Sequence, residues 1–257
     1  DLALKSYYVD LFKNNDSDND ESDNEEKESN YKDIMKGIKN QYEIINNINS
    51  PYIAKAAGIF FGNEMTPPSI LLEYFPHNLK NIAKELTSIE RISIIWEICN
   101  GMKEIHDAQV VHCNLNPGNI LLDSDKHVKL SDFGFPEFIK SDTPLIGRTQ
   151  AFDTQMFMAP ELLLCESDYN EKVDVYSFGV VVYFILRKGK YLTAKNNGTD
   201  GISLSPNSKI NELSCTLIKK CCSKLASQRP SFEEIADIMK ENQFKLIDGV
   251  DTQFLQT

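Results

Sequence analysis

A chain of 257 residues, 41% hydrophobic and 25% charged, is long enough for one large domain or two lobes and has an ordinary globular composition. Its 27 basic and 38 acidic residues leave a formal charge of −11, which repels phosphate backbones and argues against nucleic acid as a partner. The longest apolar run, VVVYFIL at 180–186, falls far short of the roughly 18–20 residues that span a bilayer, and no basic-then-apolar leader opens the chain, so neither a membrane nor secretion is expected.

Residues 1–12, DLALKSYYVDLF, alternate as a strand does. The chain starts with Asp1 rather than methionine, so an excised or processed segment is expected. Residues 14–30, NNDSDNDESDNEEKESN, hold eight acidic side chains and one lysine and no apolar residue. Such a run buries nothing and reads as a solvated loop. Asp16, Asp18 and Asp20 match the first ligand positions of an EF-hand calcium loop. The match then fails, because the obligatory glycine is Glu21 and the bidentate glutamate is Lys27. The next segment, YKDIMKGIKNQYEIINNIN, has helical spacing and stops at Ser50-Pro51. YIAKAAGIFF and SILLEYF, parted by a polar turn with Pro67-Pro68, read as paired strands.

From Asn78 onward the signal is helical. SIERISIIWEICNGMKEIH sets Ile92, Ile95, Trp96, Cys99 and Met102 on one side. The short apolar pieces ILL and HVKL follow, then KVDVYSFGVVVYFILRKG, INELSCTLIKKCCSKLA and SFEEIADIMKEN alternate as helices with loops. The tail QFKLIDGVDTQFLQT shows no evident chemistry. Six cysteines (Cys99, Cys113, Cys165, Cys215, Cys221, Cys222) form no C-x-x-C pair and fit reduced thiols in a cytosolic or nuclear compartment. Asn197-Gly-Thr matches a glycosylation acceptor and, without an export signal, is read as chance.

Five fragments occur in a telling order: HCNLNPGN (112–119), SDFG (131–134), MAPE (158–161), DVYSFGV (174–180) and QRPSF (228–232). Together they resemble the protein-kinase signature set, in the flavour of the tyrosine-kinase-like Ser/Thr group. Each fragment alone is weak, whereas five in order at suitable spacing are strong. The resemblance covers roughly residues 1–243. It implies an α+β, bilobal protein-kinase-like fold: a small, β-rich lobe over 1–75, here truncated at its N-terminus, a larger helical lobe over 76–243, and an extension over 244–257. ATP and Mg are the cofactors it implies.

The resemblance also assigns roles. Asp132 stands where the family's aspartate grips magnesium, and Asn119 where an asparagine holds the second ion. Asn114 takes the place of the catalytic base. An amide cannot accept a proton at neutral pH, and that assistance is typically worth about 10²–10⁴ in rate. Asn116 replaces the lysine that such a loop brings near the γ-phosphate. Cys113 replaces the arginine that clamps a phosphorylated loop, so switching through Thr143, Thr149 or Thr154 is not expected. Lys5 fits the phosphate-pairing lysine and Ala3 the alanine packed on adenine, while only four residues precede Lys5, too few for a Gly-rich phosphate loop. Spacing puts Gln41 where that lysine's glutamate partner belongs. Glu43, two residues on, is turned about 200° away on a helix. Glu73-Tyr74-Phe75 fits the hinge, with Leu72 gating the inner pocket and Leu121 joining Glu73 and Phe75 as nucleotide contacts.

Frame positions match well: His112 and Phe133 as a hydrophobic spine, Asp174 as anchor of the catalytic loop, and Glu161 with Arg229 as a buried ion pair. The leading expectation is a pseudokinase, a regulatory or scaffolding module that still has the means to hold ATP and that meets a protein partner such as a signalling protein or an active kinase. The acidic run could recruit a basic partner, with Ser17, Ser22 and Ser29 as acceptors for acidophilic kinases. A weakly active Ser/Thr protein kinase and a purely structural module without nucleotide stand as alternatives.

Overall fold

A computed structural model of the chain describes residues 2–6, 35–62, 66, 68–133, 155–164, 169–192, 197–198, 201–202, 204 and 210–253. The acidic run, the side chain of Lys5, Cys165, and Thr143, Thr149 and Thr154 lie outside the described residues. The chain divides into two compact units, Asp1–Asn49 with Ala54–Tyr74, and Ser50–Ile53 with Phe75–Thr257.

The first unit is built on an antiparallel three-stranded sheet, ordered β1-β3-β2, from β1 (Leu2–Ser6), β2 (Ala56–Phe60) and β3 (Ser69–Glu73). Ile70 and Leu72 of β3 are buried, as strand alternation requires of a sheet with one covered face. The register sets Ala3 opposite Leu72 and Lys5 opposite Ile70. Helix α1 covers 35–47. Its buried positions Met35, Ile38, Gln41 and Ile45, continued by Ile48 beyond its end, recur at steps of three and four, the signature of an amphipathic helix. The sequence segment is therefore a helix with one apolar stripe, and that stripe includes an amide. The C-terminal end of α1 is pinned to β2 by Asn46, whose Nδ2 donates to Ala56 O at 3.1 Å while its Oδ1 accepts from Ala56 N at 3.3 Å.

The second unit opens with a feature the sequence does not announce. His77–Asn78 forms a two-residue strand, β4, that pairs with β5 (Ile120–Leu122), which in turn pairs with β6 (Val128–Leu130). Asn78 also caps the one-turn helix α2 (Leu79–Ile82). The long helix α3 (Ser88–Asp107) starts at a capping box in which the Thr87 side chain accepts from Glu90 N and Glu90 reaches back to Thr87 N. Ile92, Ile95, Cys99 and Met102 are buried as the spacing predicts, but Trp96 is only half-buried, and Ile94, Ile98 and Arg91 are covered as well.

A short turn, α4 (Pro160–Leu163), precedes α5 (Lys172–Leu186), where every residue from Val173 to Leu186 is buried. That all-round burial explains the apolar run at its end: α5 is the core helix of this unit. Gly179 lets α6 (Glu212–Cys221) approach it, since a Cβ there would lie 2.5 Å from Cys222 Sγ and 2.7 Å from the Cys221 Cβ. A two-residue hairpin of β7 (Asn197–Gly198) and β8 (Gly201–Ile202) contacts α6. The amphipathic α7 (Phe232–Glu241) opens on a second capping box, Ser231 with Glu234, and packs on α3. The segment after it is tied in rather than trailing. Phe244 and Leu246 are buried, Phe244 meets the Trp96 ring at 5.0 Å, and Ser214 Oγ donates to Leu246 O at 2.7 Å.

Candidate functional site

The loop between α3 and β5 carries HCNLNPGN, and its two ends are held by different chemistry. At its start, the Asp174 carboxylate in the first turn of α5 is fully buried and accepts from the backbone N–H groups of His112 and Cys113, both at 2.8 Å. His106 Nε2 at the end of α3 shares the same carboxylate at 2.9 Å. Buried charge of this kind persists only when several donors satisfy it, and three do so here. The His112 ring is fully buried and stacks on Phe133 at 4.7 Å. Burial holds its pKa below the ordinary histidine value, so the ring is neutral and its Nδ1 accepts from Asn114 N at 3.2 Å. Its Nε2 has no hydrogen-bond partner among the described residues.

Cys113 adopts φ 58°, in the left-handed region that side chains with a Cβ seldom occupy, and the Asp174 clamp is what holds it there. Its thiol is buried and its pKa is raised, first by desolvation and then by the Asp174 charge. A neutral buried thiol therefore occupies the position where the resemblance places a cation. Tyr169 lies against it, its phenol pushed up to about 12 by its own burial, by the Cys113 thiol and by Asp174.

The second half of the loop is held largely by side-chain amides. Asn114 Nδ2 donates to Asp132 O at 3.2 Å, and Asn116 Nδ2 donates to Asn114 O at 2.9 Å and to Asn114 Oδ1 at 3.2 Å. Asn119 Nδ2 donates to the same Asn114 O at 2.8 Å, and Asn116 Oδ1 accepts from Gly118 N at 2.9 Å. Ser131 closes the circuit, its N and Oγ donating to Asn119 O at 3.0 and 3.1 Å. Asn114, Asn116, Asn119 and Asp132 are thus brought into one network, with Asn114 as its centre.

That network bears on magnesium. Asn119 spends its NH₂ on Asn114 and leaves a hard oxygen, and Asp132, whose backbone carbonyl joins the same network, carries a carboxylate. Magnesium takes one or two carboxylates plus water and phosphate oxygens, so these two residues fit a minimal protein share. Among the described residues no group of three or more His, Cys, Asp or Glu side chains could hold an ion unaided.

The remaining sequence-derived residues fall on separate elements. Ala3 and Leu72 are cross-strand partners in the first unit, where Leu72 is buried. Glu73 is exposed and closes β3, Phe75 is half-buried, and Leu121, half-buried on β5, pairs with Asn78 and Lys129. Gln41 is 4% exposed and Glu43 is exposed, so the inward position of α1 belongs to the neutral amide. Sequence reading missed two participants. His106 supports the clamp from six residues upstream of His112. Asn114 acts as a donor to the Asp132 backbone, a contact its sequence position does not suggest.

Away from the loop, Arg229 is the second charged anchor. Its side chain is wholly buried, forks onto Glu161 with Nη2–Oε2 at 3.0 Å, and donates to Ser223 O at 2.9 Å and Lys172 O at 3.0 Å. It also lies 5.2 Å over the Tyr176 ring. A bidentate pair with its spare donors satisfied binds α4, the start of α5 and the 3₁₀ turn Ala226–Gln228 into one frame.

A loop clamped by a core-helix aspartate, a stacked His–Phe pair and a bidentate Glu–Arg fork are the frame arrangements that the sequence resemblance implies. The chain matches the protein kinase domain family over residues 20–240 and belongs to it. Among curated proteins it is similar to the dual specificity protein kinase pyk3 of Dictyostelium discoideum, 34% identical over 203 residues that make up 73% of this chain and 15% of that protein. It is also 28% identical over 221 residues to the dual specificity protein kinase shkE of the same organism (80% of this chain, 31% of that protein). Serine/threonine-protein kinase par-4 of Caenorhabditis briggsae is 29% identical over 227 residues (81% of this chain, 34% of that protein). The chain therefore spans only about a sixth to a third of the length of these relatives. No described helix is long and apolar enough to cross a membrane.

Proposed function

We propose that this domain is a pseudokinase of the tyrosine-kinase-like group, a regulatory or scaffolding module that holds ATP with magnesium and is inactive in phosphotransfer. The observation behind this reading is the amide at position 114, whose NH₂ is directed at Asp132 O at 3.2 Å where the resemblance calls for a carboxylate that accepts a proton. The neutral thiol of Cys113 and the amide of Asn116 take away two positive charges as well. Asn119 and Asp132 survive as magnesium ligands, and ATP bound with them would bring the phosphate oxygens that complete such a site. A protein partner, a signalling protein or an active kinase, then reads the closed or open state of the domain. A weakly active kinase is the competing reading, favoured by the retained Asn119 and Asp132 and by relatives that are themselves named as kinases.

Thermal unfolding with ATP, with and without magnesium, tests the nucleotide part. Saturation at about 100 times the dissociation constant adds roughly 2.7 kcal/mol, a midpoint shift of several degrees for a domain of this size. The reading predicts a magnesium-dependent shift that Asp132→Ala abolishes. No shift at millimolar ATP would leave a scaffold without nucleotide.

A further inference from the structure

We infer that Asn114 is a positioning residue selected for its amide donor, which fastens the Asp132 segment to the loop, so that a carboxylate at this position weakens the site. This rests on the reading of the loop as one that no longer uses a base, and goes beyond it by giving Asn114 a task of its own.

Four polar groups of Asn114 are engaged. Its N–H donates to His112 Nδ1, its carbonyl accepts from Asn116 and Asn119, its Oδ1 accepts from Asn116, and its NH₂ donates to Asp132 O. Three of these groups would keep their contacts in an aspartate, which is isosteric and accepts at both oxygens. The fourth would not. An ionised carboxylate has no proton to donate, and its oxygen would face the Asp132 carbonyl oxygen across the 3.2 Å that the hydrogen bond now spans.

The residue at the far end of that bond is one that needs holding. Asp132 has φ 62°, a left-handed conformation that a residue with a Cβ keeps only when its surroundings enforce it. It sits between Ser131, tied to Asn119 O, and Phe133, stacked on His112. The Asn114 amide therefore fixes the strained residue from the loop side. Asn116 completes the arrangement by turning its own NH₂ toward Asn114 and its Oδ1 toward Gly118 N, a geometry that a flexible cationic lysine cannot supply.

The test compares Asn114→Asp, Asn114→Ala and Asn116→Ala by thermal midpoint and by NMR hydrogen exchange of the Ser131 amide. Both substitutions at 114 should lower the midpoint, the aspartate by more than the alanine. Both should speed Ser131 exchange by about tenfold or more, the factor that about 1.4 kcal/mol of lost local protection gives. Asn116→Ala leaves the Asn114–Asp132 bond intact, so it should lower the midpoint and leave Ser131 protection near that of the parent. An Asn114→Asp midpoint at or above the parent would overturn the inference. So would unchanged Ser131 exchange in Asn114→Ala, the uncharged variant that still reports if the aspartate fails to fold. Phosphotransfer by the parent is assayed separately. Activity there would sink the pseudokinase reading whatever the order of midpoints.

Discussion

The two halves of the loop at 112–119 solve the same problem with opposite means. The first is set by a buried charge, Asp174, which gathers two backbone N–H groups and His106. The second is set by neutral amides that satisfy one another. A buried carboxylate is costly to desolvate and costly to disturb, so it persists where the lobe must keep its shape. Amides hold geometry without that penalty. On the reading proposed above, the division marks where the frame of the family ends and where its chemistry gives way to structure.

Removing charge from the frame should produce the largest effects. Arg229→Leu leaves the Glu161 carboxylate partly buried without its fork and should cost about 3–5 kcal/mol, read by denaturant unfolding. A loss under about 1 kcal/mol would mean that the charged anchors matter no more than the amides. Asp174→Asn keeps one good acceptor for two N–H donors and a histidine, and should cost about 1.5–3 kcal/mol. Its effect should reach the loop as faster exchange of the His112 and Cys113 amides.

The smallest effect belongs to a pair outside the loop, an exposed histidine on a half-buried glutamate. His127 Nδ1 lies 2.9 Å from Glu97 Oε1, and that hydrogen bond, followed by the carboxylate's charge, raises the imidazole pKa. Because the folded value lies above the unfolded one, the stabilisation is fully present below the ordinary histidine value of about 6.5 and is lost as pH rises through the raised folded value. His127→Gln should therefore lower the midpoint by at most about 1 °C at a pH near 5.5, and by less near 8.5. An opposite trend would place the pair's contribution elsewhere.

Much of this was legible in the sequence. The apolar stretch SILLEYF, the helical spacing of α1 and the motif order pointed to the elements and the family, and Asp174, Glu161 and Arg229 took the roles that their motifs imply. The family's usual interval put Gln41 at the helix position of the lysine's partner, and the structure buries Gln41 while exposing Glu43. The strand at His77–Asn78 was hidden because two residues carry no periodicity and pair with β5 only through a contact more than forty positions away. Trp96 sits at the edge of its predicted stripe, where Phe244, from a tail with no pattern of its own, meets it edge-on. The donor role of Asn114 was invisible for a different reason. A motif reports which residue type is missing, whereas a hydrogen bond to a backbone carbonyl eighteen residues away exists only in the fold.

The most direct test is phosphotransfer itself. The purified domain would be incubated with γ-labelled ATP and magnesium, with a mixed Ser/Thr/Tyr peptide library as acceptor and with its own chain as a second acceptor, beside Asp132→Ala. The account predicts that incorporation by the parent does not rise above that of the variant. Incorporation that the parent supports and Asp132→Ala abolishes would contradict it, and would make the amide network part of a working, if slow, kinase.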